Sequence, residues 1–337
     1  MIKSFQIYLL SLILICSFSA HAEILDDQGN PSPDVQQIVR KFYPYLKSIK
    51  DLDDQSKEKL TSNTNFSVEE LNGIAQKVFL RPKGSERLSP EAYSHYKNIC
   101  SNLSFEEQQE IINLFRKIGD IEAVYPRDTD PLPDYILIQG STVPNMRERV
   151  MFLADLITTD KLKFKESTKI VFLAGERALF DSETPDVLMN TRPFKCNPEW
   201  HIDKEDLPTD ERHAAEMVWQ QLDLPKELRV KEPLFVKSEK KTTEKRAQTE
   251  DCVATWLTQE DIKEGLYYVI SSNPFVHYQK RVTELKFHQA GYKDNFVLKG
   301  LGPEAPLKPQ SREISIGVLM DNLARCLYIE AQFLKLK

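Results

Sequence analysis

One passage limits the fold of this chain more than any other. The apolar run Tyr135–Gln139 rises to Gly140. Ser141, Thr142 and Pro144 follow as turn punctuation, and from Asn145 to Thr158 apolar residues recur at helical spacing. A short apolar strand that ends in glycine and leads into a helix is how parallel α/β sheets build ligand pockets, because the unpaired N–H groups of the helix start face the strand end. The passage is neither Gly-x-Gly-x-x-Gly nor a P-loop, so a dinucleotide or Walker-type nucleotide site is not expected.

The same alternation continues to the C-terminus. Lys169–Ala174, Leu234–Lys237, Leu266–Ser271 and Phe296–Lys299 read as further strands. Helical periodicity covers Asn145–Thr158, Thr209–Leu222, Thr249–Leu257, His277–Ala290 and Ser315–Leu334. Strands alternating with helices predict an α/β fold, a three-layer αβα Rossmann-like sandwich with a mainly parallel sheet. Two stretches interrupt the rhythm: 180–206, rich in Pro, Asn and Asp, and the charged run 238–248. Insertions of that length are lids, binding loops or disordered segments.

Residues 23–128 read as a separate helical region. Val35, Ile38, Val39 and Phe42 share one helix face. Ser67 with Glu70, and Ser104 with Glu107, have capping-box spacing. Ser89 precedes Pro90 as an N-cap with proline at the first helical position. A Pro/Asp-rich linker, 126–133, leads into the sheet domain, 129–337.

Ahead of the helices, Lys3, an apolar stretch from Phe5 to Phe18 and Ala20-His21-Ala22 have the form of a secretory signal peptide ending at residue 22. The expected location is therefore periplasmic or secreted, with no transmembrane segment in the mature chain; an uncleaved anchor is the alternative. The chain has 45 Lys and Arg against 51 Asp and Glu. An acidic chain without a basic run argues against nucleic acid as a partner. Cys100, Cys196, Cys252 and Cys326 are widely spaced, which excludes zinc-ribbon and Cys-x-x-Cys chemistry and leaves disulfides or free thiols open. The histidines have no ligand spacing, so no metal site is expected.

In parallel sheets ligands bind beyond the carboxyl ends of the strands. The candidates are therefore the residues that follow each strand. After the first come Gly140, Ser141 and Thr142, with Arg147 and Arg149 in the next helix; an arginine in a first turn opposes the helix dipole, so a bound anion would explain it. After the second come Gly175, Glu176 and Arg177. After the fourth come Ser272, Asn273 and His277, with Arg281 one turn on. Glu176 and Glu216 are the candidate acid–base groups. No Gly-x-Ser-x-Gly elbow is present, so serine-hydrolase chemistry is not expected. No motif names a cofactor.

Taken in order, the strand ending in Gly140, the strand ending in Gly175, the Glu216 to Pro225 helix, Thr249-Glu250-Asp251, the Val269-Ile270-Ser271-Ser272-Asn273-Pro274 turn, Gln279 and Arg281, and the closing Asp321 to Tyr328 helix resemble the SanA/YdcF/ElyC-like family of bacterial envelope proteins. The resemblance covers roughly residues 134–330. It implies a Rossmann-like domain, a link to envelope biogenesis or permeability, and a pocket for a nucleotide-like or phosphorylated molecule. Tyr278 stands where many members place His, with His277 offset by one. Two readings follow. In one, Arg147, Arg149, Arg177 and Arg281 hold an anionic small molecule or phosphorylated envelope precursor, which an exported binding domain retains or an exported enzyme processes. In the other, a non-catalytic scaffold meets a protein partner through residues 23–128 and the long loops.

Overall fold

The structure is a computed structural model that describes residues 24–46, 52–62, 64–83, 85–87, 89–239, 247–292 and 295–336. The expected signal peptide and most of the charged run, 240–246, lie outside the described residues. No described helix is long and apolar enough to cross a membrane.

Strands β1 Tyr135–Gln139, β2 Lys169–Leu173, β3 Leu234–Phe235, β4 Gly265–Ile270 and β5 Phe296–Leu301 form one parallel sheet in the order β3-β2-β1-β4-β5. Period-two alternation divides their side chains between two cores. Ile136, Ile138, Phe172, Tyr268 and Ile270 point to one face; Tyr135, Leu137, Val171, Tyr267 and Val269 point to the other. Burial on both faces explains why each strand reads as a continuous apolar run.

Among the described residues, six helices precede the sheet: α1 Pro33–Lys41, α2 Tyr43–Leu46, α3 Asp54–Thr61, α4 Val68–Val78, α5 Pro90–Cys100 and α6 Phe105–Lys117. Both predicted capping boxes form, at Ser67 with Glu70 and at Ser104 with Glu107, and the Ser89 hydroxyl caps α5. The remaining helices are α7 Val143–Thr158, α8 Pro185–Met189, α9 Glu211–Gln221, α10 Lys226–Arg229, α11 Thr249–Gln259, α12 Val276–Gln289 and α13 Arg312–Leu334. Helices α7 and α9 cover the first sheet face, whereas α11 and α12 cover the second. The chain winds one way through β1, β2 and β3, then returns to β4 and β5. Strand order therefore reverses between β1 and β4, where doubly wound sheets open a crevice.

The helical region is not a detached unit. Its apolar faces close around α13: Val39, Phe42, Leu71, Ile74, Ile99 and Phe115 share one core with Ile316, Met320, Leu323 and Leu327. Gly317 permits the closest approach, since a Cβ there would strike the Tyr96 ring. On its other side α13 meets α12 through Ile329 with Val282 and Leu285. The linker is tied down as well. Val124 bridges to Gly302, and the Asp130 carboxylate accepts from the Tyr268 hydroxyl at 3.0 Å and pairs with Lys299. The 180–206 insertion is folded, carrying α8 and a bridge from Cys196 to Leu222. All four described cysteines are free thiols; Cys100, Cys252 and Cys326 are buried and Cys196 is exposed.

Candidate functional site

At the β1/β4 crevice the strand-end loops enclose a cavity of about 850 Å³. The loop after β1 contributes Gly140, Ser141 and Thr142; the segment after β2 contributes Gly175 and Arg177; the loop after β4 contributes Ser272, Asn273 and Phe275. These three groups, singled out by their place after strands, do meet at one rim. Sequence reasoning did not anticipate the opposite wall. It comes from the α4–α5 connection (Arg81, Glu86, Arg87) and from α13 and the segment before it (Lys308, Arg325).

Glycine at 140 is a matter of space. A Cβ there would collide with Glu211 Oε1, and would lie 2.8 Å from the Ala174 Cα and 3.0 Å from the Leu173 carbonyl. Glu211, the first residue of α9, thus lays its carboxylate against the β1 turn. Its Oε2 accepts from Arg177 Nε at 2.6 Å. Gly175 is equally confined, with Ala247 Cβ at 2.6 Å and Cys252 Sγ at 2.8 Å from a hypothetical Cβ.

The helix start that the sequence marks as an anion site is already filled. The Thr142 side chain makes no cap bond; the Val143 N–H donates instead to Glu183 Oε1 at 2.8 Å. Glu183 Oε2 accepts from Arg177 Nη1 at 2.9 Å and from the Phe180 N–H at 2.9 Å. The insertion folds back and supplies its own carboxylate to the positive end of α7. Burial opposes the Arg177 charge, but Glu211 and Glu183 outweigh it and hold the guanidinium above its ordinary value.

The remaining predicted arginines separate sharply. Arg147 and Arg149 lie two residues apart on α7, hence on different faces. Arg149 lines the cavity. Its Nη1 donates to the Gln139 carbonyl at 2.6 Å and the Gly140 carbonyl at 2.8 Å, and its Nε to Ser272 Oγ at 3.2 Å. Burial lowers it to about 10, and Glu211 and Glu148 work against that shift. Arg147 does not reach the cavity. It donates to the carbonyls of Val187, Leu188 and Asn190 and to Gln221 Oε1, all between 2.6 and 2.9 Å, and so pins α8 to the sheet domain. Arg281 is also displaced from the expected site. It grips Glu330 with two bonds of 2.6 Å, adds Glu284 at 2.6 Å, and stacks on Phe333. His277 turns to the same place, 3.5 Å from Glu330 Oε1, while its neighbour Tyr278 faces the cavity.

The acid–base candidates change too. Glu176 is exposed and off the cavity wall, and Glu216 pairs with Arg212 at 2.9 Å on the outside of α9. The carboxylates that do face the cavity include Glu211 and Glu148. Burial raises Glu148 above the ordinary carboxyl value, with Arg149 opposing. One cavity thus holds a carboxyl inclined to keep a proton and another bonded to arginine, two environments that general acid–base chemistry can use.

On the far wall Asp321 is fully buried and gathers the arginines. Its Oδ1 accepts from the Arg81 N–H at 3.1 Å, and its Oδ2 from Arg81 Nη1 at 2.7 Å and Arg325 Nε at 3.2 Å. Burial resists the Asp321 charge, but Arg325, Arg81 and Arg87 keep its carboxyl below the ordinary value. The Arg87 guanidinium carbon lies over the Phe275 ring, 3.6 Å from its centroid.

No family model matches this chain, and neither a curated protein nor a solved structure does.

Proposed function

We propose that this protein, exported after loss of residues 1–22, binds a phosphorylated or otherwise anionic small molecule in the cavity at the strand ends, and that the molecule is an envelope precursor. The observation that carries the reading is the cavity's position and lining: a space of about 850 Å³ at the strand-order reversal, faced by Arg149, Arg177, Arg87 and Arg325 and by the Ser272 and Asn273 turn. Its size suits a ligand of sugar-phosphate or nucleotide dimensions. The resemblance to SanA/YdcF/ElyC-like proteins supports the envelope assignment. Any turnover falls to Glu148 and Glu211, as proton carrier and arginine-held base.

The scaffold reading is weakened by the helical region itself. That region spends its apolar faces on α13 and lends Arg81 and Arg87 to the cavity. Calorimetric titration of the mature protein with sugar phosphates, lipid-linked phosphates and nucleotides tests the proposal. Saturable binding of an anionic member of the panel, with no binding of its uncharged counterpart, is expected. Absence of binding across the panel, together with partner capture that depends on residues 23–128, would replace it with the scaffold.

A further inference from the structure

We infer that the anionic group of the ligand is seated on the helical wall, by Arg87 with Arg81 and Arg325, and not by Arg149 and Arg177 on the sheet side. This rests on the binding function proposed above and narrows it to a compact, multi-oxygen anion such as a phosphoryl group attached to a polar body.

Charge balance separates the two walls. On the sheet side Arg177 is answered by both Glu183 and Glu211, and Arg149 has spent its Nε and Nη1 on Ser272 and two carbonyls. A dianion placed there would also meet Glu148 and Asp181, which line the same side. On the helical side Asp321 pairs with Arg81 and Arg325 and acts on Arg87 only through its field. Glu86 and Lys308 also face this wall, so the balance remains positive.

Arg87 is the least satisfied of the three. Its Nε is buried without a hydrogen-bond partner among the described residues. Burial brings it down to about 9, with Asp321 holding it up and Arg81 and Arg325 pushing the same way as burial. A buried N–H without a partner is costly, and a phosphoryl group supplies matching acceptors in the planar fork geometry that arginine favours. Phe275, at the end of the β4 loop, supports that guanidinium on the cavity wall, its ring centroid 3.6 Å from the guanidinium carbon. Held there, the anion leaves the polar body of the ligand to reach Ser272, Glu148 and Glu211, where hydroxyl groups find both acceptors and donors.

The test uses the mature protein with inorganic phosphate and glucose 1-phosphate as probes and glucose as the neutral control. Calorimetry should show that both anions bind and glucose does not. Arg87→Gln should weaken glucose 1-phosphate by about tenfold or more, as for loss of one charge-assisted contact, and Arg87→Lys should recover part of that loss. In the unmutated protein, phosphate should protect Arg87 from phenylglyoxal, read by peptide mass spectrometry, which requires no variant to fold. If the anions bind with full affinity to Arg87→Gln, Arg87 goes unprotected, and Arg149→Gln abolishes binding, the helical-wall seat is wrong and the cavity function stands. If neither anion binds the unmutated protein and neither protects Arg87, the seat and the anion-binding reading fall together.

Discussion

Asp120 offers the sharpest test of the packing between the helical region and the sheet. It follows Gly119 at the end of α6, is 1% exposed, and accepts from Asn322 Nδ2 of α13 at 3.2 Å. The same Asn322 amide donates to the Pro274 carbonyl at 2.7 Å, so three parts of the chain meet here. No cation among the described residues pairs with the carboxyl in this setting. Burial raises it to about 8 against an ordinary value of 3.8, with the Asn322 bond opposing. Between those values the unfolded chain is ionised and the folded chain is not, so folding takes up a proton. The group is neutral in its effect below pH 4, costs stability increasingly as pH rises, and stops costing more above about 8. The loss is about 1.4 kcal/mol per pH unit, or roughly 2.7 kcal/mol between pH 5 and pH 7. Asp120→Asn keeps an acceptor for Asn322 and removes the titration. Urea denaturation at pH 5, 6 and 7 should therefore show the variant gaining on the parent by that slope. Ionisable groups elsewhere contribute equally to both proteins and cancel in the difference. A difference that stays constant across this range would mean that Asp120 is solvated or paired, and that the α6–α13 junction is not packed as described.

Three other outcomes follow from individual side chains. Arg147→Met should cost about 2–4 kcal/mol in urea denaturation, because three carbonyls and the Gln221 side chain lose a buried donor, while phosphate affinity per folded molecule stays unchanged. Gly140→Ala should cost about 1–3 kcal/mol through the collision with Glu211, and the penalty should shrink in a Glu211→Ala background; equal penalties in both backgrounds would refute the contact. Burial opposes the Glu330 charge, yet bonds from His277 and Arg281 hold its carboxyl down to about 2. Its contribution is thus present above the ordinary carboxyl value of 4.5 and lost as pH falls toward 2, so Glu330→Gln should flatten the acid side of the stability curve, measured by thermal melting from pH 5 to pH 2.5.

Local chemistry was legible along the chain. The apolar runs at β1, β2 and β4 announce strands buried on both faces, and the interleaved helical periods announce crossovers; a parallel sheet follows because short turns cannot join parallel strands. Ser67 with Glu70, Ser104 with Glu107, and Ser89 with Pro90 marked helix starts because a cap is satisfied within four residues. The same locality brought Gly140, Gly175, Ser272 and Asn273 to one rim, since every strand of a parallel sheet ends on the same side.

What a long side chain reaches was not legible. Arg147 and Arg281 have the sequence context of anion ligands, yet one is saturated by the carbonyls of a folded-back insertion and the other by Glu330, 49 residues away. Glu183 fills the α7 N-terminus from 40 residues downstream. Arg81 and Asp321 stand 240 residues apart and meet only because α13 packs into the helical region. The sequence by itself determined the sheet, its crossovers and the edge at which a cavity would open, because backbone hydrogen bonding and apolar periodicity act between near neighbours. Tertiary structure alone decided which guanidinium groups are neutralised and which still face empty space, because electrostatic pairing depends on through-space distance and burial, and neither is encoded in spacing along the chain.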